Sequence, residues 1–138
     1  MQSATHKELE RALDANFNRA KEALRVCEDI FRFIEDDARL TRRIKNIRHA
    51  LTESVTTAWL KKILSAREVD SDIGRGSTKL EMKRSNVNDV LWANLQRAKE
   101  SLRVLEELLK LFDLKAAQRL KNFRYKVYAL EKEIIIRR

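Results

Sequence analysis

Apolar residues recur along most of this chain at steps of three and four, the spacing that gathers them on one face of an α-helix. From about Lys7 to Ile34 the stripe is Leu9, Leu13, Phe17, Ala20, Leu24, Cys27, Phe31 and Ile34, after a start at residues 1–6 that reads as frayed. Glu35-Asp36-Asp37 ends it and supplies acids suited to the first turn of a second helix. That helix carries Leu40, Ile44, Ile47, Leu51, Ser54 and Ala58 and is expected to run to about Leu64. A third stripe, Leu91, Leu95, Ala98, Leu102, Leu105 and Leu109, follows a cap expected at Asn88 or Asp89. A turn near Asp113 leads to the fourth, with Ala116, Leu120, Phe123, Val127, Leu130 and Ile134.

The first and third stripes are versions of one sequence. LDANFNRAKEALRVCEDIFRF at 13–33 and LWANLQRAKESLRVLEELLKL at 91–111 share eleven of twenty-one positions without a gap, at an offset of 78. The second and fourth match as well: Arg43–Arg48 reads RIKNIR and Arg119–Arg124 reads RLKNFR, at an offset of 76. The offset falls by two because the second hairpin's turn is shorter by two residues. A period near 78 is too long for a solenoid unit, so an internal duplication is the reading. Neither hairpin can bury its stripe alone. The predicted fold is therefore all-α, a four-helix bundle of two duplicated hairpins (7–64 and 88–137) joined by a long glycine-containing loop (65–87).

Composition changes little in that picture. The 138 residues include no proline and two glycines, Gly74 and Gly76, both in the connection, so long uninterrupted helices are allowed on either side. The length suits one domain, 1–138. Charged residues are 37% of the chain and hydrophobic ones 43%, the balance of a soluble globular protein rather than a disordered one. No apolar run approaches a membrane span and no signal segment is visible, which points to the cytoplasm. The one cysteine, Cys27, sits on the apolar stripe and is expected to be a buried inert thiol. The net charge of +9 favours phosphate-bearing ligands or polyanions without choosing between them. Self-association into a homo-oligomer stays open.

Several polar residues stand in unusual places. Turning each residue by 100° puts Asn16 inside the apolar arc of the first helix, Arg19 at its edge and Glu22 one step further out; Asn94, Arg97 and Glu100 hold the equivalent places on the third. A buried amide or guanidinium needs partners, since leaving it unsatisfied costs ~1–3 kcal/mol. Either the six form a polar network fixing the register of the hairpins, or they line a pocket for a charged small molecule. Arg25, Glu28 and Asp29, with Arg103, Glu106 and Glu107, lie further round at spacings of ordinary surface ion pairs.

The connection SAREVDSDIGRGSTKLEMKRSNV lacks a sustained helical stripe, and a loop of that length in a compact domain is commonly functional. Gly74-Arg75-Gly76-Ser77-Thr78-Lys79 is a candidate phosphate cradle, offering backbone N–H groups, hydroxyls and cations, although the P-loop spacing is absent. Asp70, Asp72 and Glu81 lack the central glycine of a calcium loop. His6, His49 and Cys27 form no metal-ligand or catalytic pattern, so no metal ligands are assigned.

LDANFNRAKEALRVCED, Arg48-His49, AREVDSDIG, Arg84 and WANLQRAKESLRVLEE occur in this order, and together they resemble one helical family. It is the N-terminal extension fused to thiamine-phosphate synthase in cyanobacteria and some other bacteria, labelled a second type of hydroxymethylpyrimidine phosphate kinase. The resemblance covers roughly residues 10–112 and implies a stand-alone copy of that extension. It implies a phosphorylated aminopyrimidine as substrate, with ATP and Mg2+ if the chain is a kinase. Matching positions include Asn16, Arg19, Glu22, Arg25, Arg48, His49, Arg67, Asp72, Gly74, Arg84, Asn94, Arg97, Glu100 and Arg103. Under that resemblance Arg19, Arg97, Arg67 and Arg84 are expected to neutralise phosphates, with Arg25, Arg103 and Gly74 in the same binding group. Asn16 and Asn94 are expected to read the pyrimidine edge. Glu22, Asp72 and Glu100 are the catalytic candidates, holding magnesium or positioning the attacking oxygen. The competing readings are a non-catalytic module docking on thiamine-phosphate synthase or another enzyme, and a nucleic-acid binder using KNFRYKVY. In the latter, Phe123 and Val127 belong to the core stripe, which speaks for packing.

Overall fold

The computed structural model describes residue 3 and residues 5–54, 65–78 and 82–137. It contains α1 (His6–Asp29), α2 (Ala38–Glu53), α3 (Val87–Leu109) and α4 (Leu114–Arg137), and no strand among the described residues. The fold is an all-α bundle. The second helix's expected reach to Leu64, Ala58 included, lies outside the described residues, as do Lys79 and Glu81.

Short polar side chains fix each helix start by taking up N–H groups that have no partner in the first turn. Thr5 and Glu8 form a reciprocal capping box, Glu8 N–H to Thr5 Oγ1 at 3.2 Å and Thr5 N–H to Glu8 Oε2 at 2.8 Å, so α1 begins one residue before its stripe implied. Asp37 Oδ1 accepts from Leu40 N–H at 3.0 Å. The cap of α3 is Asn86, which corrects the expectation of Asn88 or Asp89. Asn86 Oδ1 accepts from Asp89 N–H at 2.9 Å while Asp89 Oδ2 accepts from Ser85 N–H at 3.0 Å. Asp89 thus closes the cap from inside the first turn rather than being it. Asp113 Oδ1 accepts from Lys115 and Ala116 N–H at 3.0 and 3.2 Å to open α4.

The first helix ends differently from its stripe. Ile30–Ile34 form a π-helical turn in which Glu35 N–H donates to Ile30 O at 3.0 Å. Its wider step shifts the phase of the last residues. Ile34, expected on the buried face, is 60% exposed beside Phe33 at 68%, and Ile30 is buried instead. Asp36 at φ 53° then reverses the chain into the Asp37 cap.

Helix α1 packs most extensively on α3, α2 on α1 and α4 on α3. The central pair is antiparallel: the His6 and Phe112 rings are 5.3 Å apart at one end, and Cys27 Sγ lies 4.0 Å from Leu91 O at the other. That register brings Ala20 opposite Ala98, its equivalent in the repeat, and both are fully buried. One apolar cluster runs through all four helices. Its leucines each contribute ~1.5–3 kcal/mol on full burial. Arg39 and Arg43 reach Glu133, and Arg137 reaches Asp37 at 3.2 Å, tying α2 to α4 at the surface.

Matching positions of the repeat make matching bonds. Asn16 Nδ2 donates to Ala12 O at 2.8 Å, and Asn94 Nδ2 to Val90 O at 2.8 Å. Glu28 accepts from Arg48 Nε at 3.0 Å, and Glu106 from Arg124 Nε at 3.1 Å. Glu28 and Glu106 are buried, which corrects their place among surface ion pairs; a partner on the second helix of each hairpin makes that burial tolerable. Arg25, Asp29, Arg103 and Glu107 do form such helical pairs.

Candidate functional site

The loop is fastened to α1 by charge. Arg67 donates from Nε to Asp14 Oδ2 at 2.6 Å and from Nη2 to Asp14 Oδ1 at 2.7 Å, and Asp14 is buried. Its hydrogen bonds to Asp14 hold the Arg67 guanidinium above its ordinary pKa. Asn18 supports the same carboxylate, donating to Asp14 Oδ1 at 3.0 Å. One residue on, Glu68 pairs with Lys7 at 3.3 Å and Arg11 at 3.8 Å and accepts from Ser71 Oγ at 3.0 Å. The Ser71 hydroxyl first, and Lys7 after it, hold the Glu68 carboxyl below its usual range.

Beyond this anchor, residues 69–78 overhang α1 and bound two adjoining clefts. The wider, about 670 Å³, lies between the loop and α1; Asp14, Asn16, Asn18, Arg19, Glu22, Arg67, Asp72 and Arg75 line it with Glu8, Arg11 and Glu68. The second, about 490 Å³, lies where α1 faces α3, lined by Asn16, Arg19, Gly74, Arg75, Ser77, Arg97, Glu100, Ser101 and Val104. Asn16, Arg19 and Arg75 belong to both, so they form the wall between them. The second cleft sets three arginines against one carboxylate. The first balances its arginines with acids.

Of the residues singled out in the sequence, Asn16, Arg19, Glu22, Arg67, Asp72, Gly74, Arg97 and Glu100 lie on these clefts. Four do not. Arg25 and Arg103 pair along their own helices with Asp29 at 3.4 Å and Glu107 at 3.1 Å. Asn94 is half-buried on α3, and Arg84 donates to Lys83 O at 2.7 Å. Several are also occupied. The Asn16 amide is turned to its own helix and its Oδ1 faces Arg19 Nη1 at 3.4 Å, so it orients the arginine. Arg67 is committed to Asp14. Gly74 N–H donates to Asp72 Oδ1 at 2.9 Å, and neither glycine adopts positive φ. Asp14, Asn18 and Ser101 were not foreseen. Asp14 carried one signal: an acid stands where the repeat has Trp92.

Magnesium commonly takes one or two carboxylates and fills the rest of its shell with water and phosphate oxygens. Asp72, on the cleft that adjoins the arginines, offers one such carboxylate, and no group of three or more potential ligands exists among the described residues.

Residues 11–133 match the ThiD2 family. The chain belongs to the ThiD2 family. Relatives of this ThiD2-family chain include proteins named thiamine-phosphate synthase. The one from Thermosynechococcus vestitus is 40% identical over 129 residues, covering 93% of this chain and 36% of the relative. That from Synechocystis is 40% identical over 137 residues, covering 98% and 38%. That from Rhodopirellula baltica is 36% identical over 135 residues, covering 97% and 36%. The chain thus spans little more than a third of the length of the curated relatives it matches. No solved structure matches it significantly. No helix among the described residues is long and apolar enough to cross a membrane.

Proposed function

We propose that this chain binds a phosphorylated pyrimidine in the paired clefts and phosphorylates it, with hydroxymethylpyrimidine phosphate as acceptor and ATP as donor. The family and its relatives associate the chain with thiamine biosynthesis. One observation carries the site: Arg19, Arg75 and Arg97, from two helices and the loop, line a single cleft next to the carboxylates Glu22 and Asp72. Guanidinium forks suit phosphate oxygens, and clustering them lowers the repulsion between two phosphates brought into line. In the reaction a phosphate oxygen of the acceptor attacks the γ-phosphorus of ATP. The bond to the β-phosphate oxygen breaks, and ADP leaves as the pyrimidine diphosphate forms. Asp72 would hold magnesium, which when bound supplies charge neutralisation to the phosphates. The test is thermal unfolding with hydroxymethylpyrimidine phosphate, then with Mg-ATP added. A ligand at a hundred times its dissociation constant adds ~2.7 kcal/mol, and a diphosphate product identifies the kinase. Unchanged melting with both compounds refutes the site.

A second reading, docking on thiamine-phosphate synthase, draws on a different surface. Phe33 and Ile34 in the π turn after α1, and Ile135 and Ile136 near the end of α4, are exposed. The Asp37–Arg137 pair brings the two segments to the same end of the bundle. Exposed apolar residues gathered in one place mark contact surfaces. Co-elution of the chain with a thiamine-phosphate synthase, abolished by Phe33→Ser with Ile136→Ser, is the expected result under this reading.

A further inference from the structure

The repeat supplies the same three polar residues twice, Asn16/Arg19/Glu22 on α1 and Asn94/Arg97/Glu100 on α3, yet Arg67 and Glu68 fasten the described part of the loop to α1. Three replacements explain why. Lys7, Arg11 and Asp14, which hold Glu68 and Arg67, have Ser85, Asp89 and Trp92 as their equivalents on α3. Asp89 carries the wrong sign for Glu68, and an indole cannot accept from a guanidinium. On the other side, the buried Ser101 of α3 puts a hydroxyl where α1 has Ala23. The duplicated copies therefore sit in different chemical surroundings. Around Arg97 the cleft gathers Arg19, Arg75 and the buried Ser101, with Glu100 as its one carboxylate. Around Glu22 it is wider and mixed in charge, with Asp72 and the Arg67–Asp14 pair.

We infer that the two copies divide one ligand between them, the α3 copy holding its phosphate and the α1 copy holding its uncharged ring. Arg97, Arg19 and Arg75 surround the phosphate, with Ser101 as a hydroxyl donor. The ring lies beneath residues 69–75, where Glu22 accepts from an exocyclic amine. Asn16, buried and bonded to its own helix, keeps Arg19 on the wall between the two parts. This rests on the phosphopyrimidine reading above and adds the direction in which the ligand lies.

Calorimetry on the full chain with three probes separates the two statements: pyrophosphate, the unphosphorylated hydroxymethylpyrimidine alcohol, and its phosphate monoester. Arg97→Ala is expected to weaken pyrophosphate and the monoester roughly tenfold or more, leaving the alcohol within about twofold. Glu22→Gln is expected to weaken the alcohol and the monoester and spare pyrophosphate. Arg97→Lys restores part of the pyrophosphate affinity. Both positions are exposed, so ligand-free melting of the variants should match the parent. If the monoester binds but both variants weaken all three probes alike, or Arg97→Ala changes none, the division is overturned and the binding reading survives. If no probe binds the parent chain, both fall.

Discussion

Replacing Arg124 with methionine strands a buried charge inside the second hairpin. Glu106 is 4% exposed, and Arg124 gives its Oε1 two hydrogen bonds, from Nη2 at 3.0 Å and Nε at 3.1 Å. Burial alone would pull the guanidinium's pKa down; Tyr128 and Glu106 more than offset that and hold it above its ordinary value. After the substitution the nearest cation is Arg103, 3.6 Å from Glu106 Oε2 and itself half exposed. Removing one partner of a buried pair costs ~3–5 kcal/mol. The remaining exposed arginine recovers at most ~1 kcal/mol of this, so we expect a loss of ~2–4 kcal/mol. Glu106→Leu alone leaves Arg124 buried and unpaired and should cost a similar amount. Combining the two changes fills the space with apolar groups and should return stability to within ~1 kcal/mol of the parent. Urea unfolding of the parent, both single variants and the double, followed by circular dichroism, gives the coupling directly, provided the m-values agree. Additive losses would refute the reasoning, because they would mean that neither group depends on the other. The same cycle on Glu28 and Arg48 should give the same sign.

Arg67→Ala should cost ~1–3 kcal/mol, at the modest end because Arg67 is 42% exposed while Asp14 is buried. Faster hydrogen exchange at residues 65–75 would show the loop released, and unchanged exchange would show that the pair does not hold it. Burial pushes the Cys27 thiol from 9.0 to about 12. The neutral thiol is thus favoured in the folded state, and its contribution is whole below pH 9 and lost as pH rises toward 12. Stability of the parent should fall more steeply than that of Cys27→Ala over that window, and alkylation of Cys27 should track unfolding; parallel curves would refute it.

The helical stripes were legible because burial on a helix depends on a period of 3.6 residues, which sequence records directly. All six apolar positions singled out on α3, and all six on α4, are buried. The stripe misled at Ile34 because a π turn changes the period, and no residue in Ile30–Ile34 announces one. Glu28 and Glu106 looked like surface acids because their place on α1 and α3 is visible in sequence and their partners on α2 and α4 are not. The pairing partner appears only once hairpins close, although the matched Arg48 and Arg124 of the repeat recorded it. The site divided in the same way. Asn16, Arg19, Arg97 and Glu100 were marked by their position on the helix, an internal property. Arg67 was read by its charge as a phosphate ligand, and the acid that claims it lies 53 positions away.

The Glu28–Arg48 and Glu106–Arg124 pairs each lie within one hairpin, while the core between α1 and α3 is apolar, with Ala20 against Ala98 at its middle. What distinguishes one hairpin's partner from another's is thus mostly shape, and the shape is supplied equally well by a second molecule. The tether between the hairpins keeps the right partner near by making their pairing intramolecular, at a raised effective concentration. Shortening that tether below the span it must cross should turn the bundle into an exchanged dimer, in which α1 of one chain lies along α3 of the other.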